Sequence, residues 1–570
     1  MPTTAPIGHE PPATSAFGFD RPHPVPARAL VHEVPMLDGV LLATDVYLPK
    51  NAAETSATVL VRAPYDKCGR YTFLPAIAER FTAHGFAVVL QDVRGKFRSG
   101  GEREVFVHEA SDGAATLDWI CEQPWSNGSV GMFGDSYYGF TQWAAASTGH
   151  PALKAIVPRV TGTNLFVNCR TDTVPLLPLY EWVVHTWSHE YLSEEPFGVT
   201  GPTPGYYVPD EHAQMWDVLH DLVSSASDGT LERRLYPAGR PAERLSIPAL
   251  HVGGWFDNLL DLTLADWQRA TRAPAAPHQY LRVNSVDHED FRWHEFGSPY
   301  DDHELDDDAL LQYLDRSLAE PISFLDHYLH DRGGRWPAPT VAFEVTNSVP
   351  RVTDQWPPAD SRAVDLALAE VPSAAVQGGR LVGLTGSAVG FEADADESEV
   401  AWMHDPREPV PWLSASQWGQ CADLPDESPL HVRDDVLTFD TEPVGRPVDL
   451  IGPVTFTGTI GATTARSHLV ARLLDLYPDG RARLIAEGAA VVETGGAASS
   501  VTVDLRDTAY RVRSGHSLRL ALSTSLFPLY AVHPGHDGDL WDVSTLVPVR
   551  QRLVSHPDAP CRLTVTVTRV

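Results

Sequence analysis

The stretch Gly131-Met132-Phe133-Gly134-Asp135-Ser136-Tyr137-Tyr138-Gly139 sets a single serine between an apolar run, Ser129 to Phe133, and a segment rich in small residues reaching from about Tyr137 to Ser147. The run reads as a buried strand and the segment as a helix, so Ser136 falls on the turn between them. A serine on such a turn stands exposed at the end of a sheet. The first N–H groups of the helix then point toward any oxygen that gains charge when the serine attacks a carbonyl. Small residues must flank so sharp a turn, and Gly134 and Gly139 meet that need. The spacing is G-x-S-x-x-G, with Tyr138 where the common G-x-S-x-G pattern has its second glycine. On the letters alone Ser136 equally suits a helix N-cap. The strand before it, the helix after it and its place late in an alternating series favour a nucleophile.

Working outward, Val31 to Met36, a Leu37-Asp38-Gly39 turn and Val40 to Tyr47 predict a hairpin. Then come a strand (Thr58 to Ala63), a helix (about 71–84), a strand (Phe86 to Gln91) and a helix (about 109–122) before the strand that ends near Ser136. This alternation predicts a mostly parallel sheet covered on both faces. It lapses over 161–242, where aromatic-rich segments (Tyr180, Trp182, Trp187, Tyr191, Trp216) suggest an inserted helical cap, and it resumes with Ala249 to Gly253 and Tyr280 to Val283. Beyond about Pro339 short β-rich runs take over: Val341 to Thr346, Val454 to Ile460, His468 to Leu476, Val501 to Leu505, Ser517 to Ser523 and Leu563 to Val570. The expected fold class is α/β, an α/β-hydrolase domain with a helical cap insertion and a C-terminal β jelly-roll domain. The expected divisions are a Pro-rich flexible tail (1–26), the hydrolase domain in two parts (27–160 and 243–338), the cap (161–242) and the jelly roll (339–570).

In that fold the chain order is serine, acid, histidine. Asp257 follows the late strand Leu250-His251-Val252-Gly253 and is the candidate acid; a helix N-cap ahead of Asn258 is the other reading. His288 lies five residues beyond the strand Tyr280 to Val283 and is the candidate base, with His294 as the alternative. Asp257 would fix the imidazole tautomer while the ring takes the proton of Ser136.

The segments Gln123-Pro124-Trp125-Ser126-Asn127-Gly128, Val130-Gly131-Met132-Phe133-Gly134 and Ser136-Tyr137-Tyr138-Gly139-Phe140-Thr141-Gln142-Trp143 together resemble the cocaine-esterase-like (CocE/NonD) serine hydrolases and the related X-prolyl dipeptidyl peptidases. Further matching motifs are Val59 to Lys67, Gln91-Asp92-Val93-Arg94-Gly95, Gly254-Trp255-Phe256-Asp257, Asp475 to Gly480 and Gly515 to Leu520. The resemblance implies that the Tyr65 hydroxyl and the backbone N–H of Tyr137 form the oxyanion hole. One departure stands out: relatives usually carry Gly-Pro-Trp-x-His, whereas this chain has Asn284-Ser285-Val286-Asp287-His288. Asp287 and Glu289 also flank the base, and negative charge there favours the imidazolium.

At 570 residues the chain is too long for one core. A formal charge of −32 makes nucleic acid and anionic membrane poor partners, and no apolar run is long enough to span a bilayer. A small-molecule ester or amide is the expected partner; oligomeric state is not readable. Five scattered cysteines without a C-x-x-C pair and the lack of a signal-peptide pattern point to the cytoplasm. Glu181, His185 and His189 recur at helical spacing, yet no H-E-x-x-H motif accompanies them, so no metal and no cofactor is expected. The expected function is acyl-bond hydrolysis through an acyl-enzyme. Acyl transfer, X-prolyl dipeptidyl peptidase activity and a catalytically silent binding protein are the alternatives.

Overall fold

A computed structural model describes residues 23–50, 55–69, 72–167, 170, 172–186, 214–293, 307–369, 378–383, 398–414, 416–495, 497–555 and 560–568. Most of the predicted tail lies outside these residues. The hairpin pairs β1 (Leu30–Pro35) with β2 (Leu41–Tyr47) in antiparallel register. There follow β3 (Ser56–Ala63), α1 (Leu74–Ala83), β4 (Ala87–Asp92), α2 (Glu109–Cys121), β5 (Ser126–Asp135), α3 (Ser136–Ser147) and β6 (Leu153–Arg159). Four helices then interrupt the alternation: α4 (Leu177–His185), α5 (Gln214–Ser227), α6 (Thr230–Leu235) and α7 (Pro241–Arg244). It resumes with β7 (Ala249–Phe256), α8 (Leu260–Ala270), β8 (Gln279–Asp287), α9 (Asp307–Leu329), β9 (Val341–Phe343) and β10 (Arg351–Thr353).

The ten strands form one sheet in the order β1-β2-β4-β3-β5-β6-β7-β8-β9-β10, and every neighbouring pair from β4 to β9 is parallel. Every residue of β4 is buried, as a strand covered on both faces requires. Helix α1 turns Leu74, Ile77, Ala78 and Phe81 inward at helical spacing. In α3 every residue from Tyr137 to Ala145 is buried, because sheet and inserted helices enclose it. Its close seating needs Gly139: a Cβ there would lie 2.6 Å from Thr161 Cγ2.

The remaining strands, between Arg362 and Val567, form an eleven-stranded and largely antiparallel sheet. Its longest pair joins Val448–Ala462 to Ser499–Val512. The two sheets do not have separate interiors, since Trp255 and Phe256 of β7 belong to the same buried cluster as Leu450, Phe456 and Leu505. No helix among the described residues is long and apolar enough to cross a membrane.

Three expectations need adjustment. β8 continues to Asp287, so His288 follows its strand directly rather than after a five-residue loop. The run Val341 to Thr346 contributes β9, which pairs with β8, so the first sheet reaches past residue 338. The 23-residue helix α9, which carries Pro321 in its interior, drew no expectation. The proline breaks the helical reading of the sequence, while packing of Leu314, Leu318, Phe324 and Leu325 holds the helix on the sheet.

Candidate active site

Ser136, Asp257 and His288 stand at the carboxyl ends of β5, β7 and β8, where parallel α/β sheets place their ligands. Ser136 begins α3 with φ 51°, a left-handed value that a non-glycine residue adopts only under constraint. Gly134, at φ 151°, makes room for the turn: a Cβ there would lie 2.2 Å from the Tyr138 ring. Tyr138 thus fills the space over Gly134, which explains the tyrosine where the common motif has glycine. The turn is pinned by Thr161, whose hydroxyl donates to the Ser136 carbonyl at 2.6 Å. Gln142 donates to the carbonyls of Gly134 and Val157 and accepts from the Val157 N–H.

The three side chains converge. Ser136 Oγ lies 3.0 Å from His288 Nε2, and His288 Nδ1 lies 2.7 Å from Asp257 Oδ1. Asp257 is fully buried and also accepts the Leu259 N–H at 3.0 Å. An Nδ1–H donated to Asp257 leaves Nε2 free to accept the serine proton.

Tyr65 follows β3 and is buried beside Ser136. Burial pushes its phenol up to about 12, so it is a neutral donor at physiological pH. The Trp182 indole N–H donates to its oxygen at 2.9 Å. A phenol has one hydrogen to give, and with the indole on a lone pair that hydrogen remains for another acceptor. Tyr137 is the second residue of α3, where backbone N–H groups have no intrahelical partner. Its ring is locked in place. The hydroxyl donates to Glu109 Oε1 at 2.9 Å and accepts the Phe106 N–H at 3.0 Å, and Glu109 in turn accepts from the buried Arg62 guanidinium at 2.9 Å.

The altered loop before the histidine has its own support. Asp287 is fully buried; one oxygen accepts the N–H groups of Glu289 and Phe291 at 3.0 Å, the other that of Cys421 at 2.7 Å. Burial, and after it the Glu289 charge, pushes this carboxyl well above the usual carboxylate range. This corrects the expectation that Asp287 serves to stabilise the imidazolium: its oxygens are spent on backbone N–H groups that shape the loop. The segment 416–421 of the β-rich region completes the clamp. The Trp418 carbonyl accepts the His288 N–H at 3.1 Å, Asn258 donates to the Gln417 carbonyl at 2.6 Å, and the Gln420 side chain donates to the Phe256 carbonyl at 3.2 Å. The Trp418 ring lies 4.5 Å from the imidazole, centroid to centroid.

Of the aromatics expected near an acyl pocket, Trp182 lines the space beside Ser136, whereas Trp143 is core and Trp255 packs against Phe343 and Trp356. Neither Trp143 nor Trp255 faces that space. Phe106, Phe166, Leu179 and Trp418 line it without having been singled out from the sequence. His294, Trp187 and Tyr191 lie outside the described residues, as does the metal reading of Glu181, His185 and His189.

Comparison with known proteins agrees with this arrangement. Residues 38–290 match the family described as X-Pro dipeptidyl-peptidase (S15 family), and residues 335–560 match the X-Pro dipeptidyl-peptidase C-terminal non-catalytic domain. A cocaine esterase from Rhodococcus sp. (strain MB1 Bresler) is 28% identical over 557 residues, covering 87% of this chain and 90% of the relative. Among solved structures, an α-amino acid ester hydrolase superposes with a TM-score of 0.75 at 21% identity, over 99% of this chain and 100% of the other. An aminopeptidase from a marine sediment archaeon, Thaumarchaeota archaeon, gives 0.74 at 19% identity, over 100% and 99% of the two chains.

Proposed function

Because the chain belongs to the X-Pro dipeptidyl-peptidase (S15) family of serine hydrolases, whose relatives include a cocaine esterase, we propose that Ser136 is its nucleophile, His288 its general base and Asp257 the acid that orients the base. The observation that carries this reading is the continuous hydrogen-bonded line from Ser136 Oγ through His288 to Asp257. In the first half-reaction His288 Nε2 takes the serine proton as Oγ attacks the acyl carbon of an ester or amide. The oxyanion that forms is held by the Tyr65 hydroxyl and the Tyr137 N–H. The imidazolium, paired with the buried Asp257, then gives its proton to the leaving alcohol or amine. An acyl-Ser136 remains. Water attacks it with His288 again as base, and the serine is regenerated.

The segment 416–421 favours a catalytic site over a silent ligand-binding one, since it spends four hydrogen bonds on the loops of Asp257 and His288. A reducing compartment, the cytoplasm, suits the free Cys68, Cys121, Cys421 and Cys561. Ser136→Ala is expected to lower turnover of p-nitrophenyl butyrate by at least ~10⁴ while leaving the thermal transition in place. A variant that keeps more than a few per cent of the native rate removes Ser136 as nucleophile.

A further inference from the structure

Ser136 stands between two unlike spaces. Toward α9 lies a polar cavity of about 160 Å³, with Asp135, Arg159, Glu289, Asp290 and Arg316 on its walls. On the other side lies an aromatic pocket of about 50 Å³, walled by Phe106, Tyr137, Phe166, Leu179, Trp182 and Trp418. We propose that the aromatic pocket receives the acyl group and limits it to about three to five heavy atoms beyond the carbonyl carbon. The enzyme is thereby assigned to short-chain acyl substrates, butyryl to hexanoyl in size, with polar leaving groups. This rests on the triad reading above.

The acyl group stays on Ser136 after the leaving group has gone, with its carbonyl oxygen between Tyr65 and the Tyr137 N–H. Tyr137 borders the aromatic pocket and is not a wall of the polar cavity. The substituent on a carbonyl held beside Tyr137 therefore meets the aromatic wall. The leaving group must collect a proton from His288 and depart, and charged walls suit a group that leaves hydrated.

The size limit follows from volume and from the stiffness of the wall. One water-sized sphere needs roughly 10–15 Å³ of such space, so the pocket holds about three to five methylene-sized groups. A benzoyl ring carries six carbons beyond its carbonyl and is rigid. The wall is braced: Tyr137 and Trp182 stack at 5.1 Å, Phe106 stacks on Tyr137 at 5.3 Å and meets Phe166 edge-on at 5.7 Å, and Trp182 is tied to Tyr65. Its members come from α2 and α3 and their loops, from the inserted α4 and from the β-rich region, so no single side chain can yield alone.

Purified full-length enzyme should be assayed with p-nitrophenyl esters from acetyl to decanoyl and benzoyl, and with butyrate esters of alcohols of increasing length. Along the acyl series kcat/KM is expected to rise about three- to fourfold per methylene to a maximum between butyryl and hexanoyl. It should then fall at least tenfold by decanoyl, with benzoyl below butyryl, while the alcohol series stays nearly flat. Leu179→Ala should move the maximum one or two carbons longer. Equal rates for decanoyl and butyryl in the native enzyme, or length dependence confined to the alcohol series, would overturn the assignment, and neither result needs a variant. Labelling of Ser136 by a fluorophosphonate, run in parallel, separates the two ideas. A labelled serine with a flat acyl series defeats the pocket alone; an unlabelled serine defeats the nucleophile reading beneath it.

Discussion

A serine held at φ 51° costs the fold on the order of 1–3 kcal/mol. The bonds around it, Thr161 to its carbonyl and Gln142 across β5 and β6, keep the turn from relaxing into an ordinary helix start. The same economy governs Tyr65, which is buried, neutral and supplied with a donor that leaves its own hydrogen available. Tyr65→Phe is expected to lower kcat by ~10²–10³ with little change in KM. Because burial raises the phenol to about 12, its protonated form persists as pH rises and is lost only as pH passes through that value. The ratio of native to Tyr65→Phe kcat should therefore be constant between about pH 7 and 10; a ratio that collapses within that range would mean that the phenol ionises early or is not the donor. Ser136, Asp257 and His288 were legible in the sequence because each follows a strand in the order this fold requires, a local signal. Tyr65 was legible only through the family resemblance, since a tyrosine after a strand is unremarkable by itself. The role of Asp287 was misread, because a carboxylate next to a base looks electrostatic until its three backbone N–H donors are seen.

At the level of elements, two segments distant in sequence complete the site. Helix α4 brings Trp182 to Tyr65, and the segment 416–421 of the β-rich region holds the loops of Asp257 and His288. Neither was readable beforehand. Hydrophobic period and turn chemistry report neighbours a few residues away, whereas these contacts span 117 residues for Trp182 and Tyr65 and 159 for Asn258 and Gln417. Strand existence was legible throughout, and strand ends less so, since β7 and β8 run on through polar and glycine positions that look like loop. If the Trp182 indole orients the phenol, Trp182→Phe keeps an aromatic wall but loses the N–H, and kcat should drop several-fold with KM nearly unchanged. Combined with Tyr65→Phe it should then cause little further loss, because both changes disable one donor. Additive losses in this double-mutant cycle would assign Trp182 to packing alone.

Across the whole molecule, several histidines are buried where no mechanism uses them. His404 and His533 in the β-rich region and His251 on β7 are each pulled down to about 4, chiefly by burial. His404 donates to the His533 carbonyl at 3.3 Å, His533 Nδ1 accepts the Gly535 N–H at 3.1 Å, and the His468 ring meets His533 at 5.2 Å. A histidine whose folded value lies below the ordinary ~6.5 binds its proton more readily in the unfolded chain. Stability is therefore retained near neutral pH and lost as pH falls from about 6.5 toward 4, at up to about 1.4 kcal/mol per pH unit for each group. Tm should fall steeply between about pH 6.5 and 5, and His404→Gln, which cannot titrate there, should lessen that slope by about one proton. Identical slopes in native and variant protein would take His404 out of the acid response.

The triad is the centre from which all of this extends, and the most direct test of it is covalent. Native enzyme, Ser136→Ala and His288→Ala should each be exposed to a fluorophosphonate and digested, and the adduct located by mass spectrometry. A single phosphonyl group on the peptide containing Ser136 is expected in the native protein, none there in Ser136→Ala, and labelling slowed by at least ~10³ in His288→Ala. An adduct on a different serine, or equal labelling rates with and without His288, would contradict the triad.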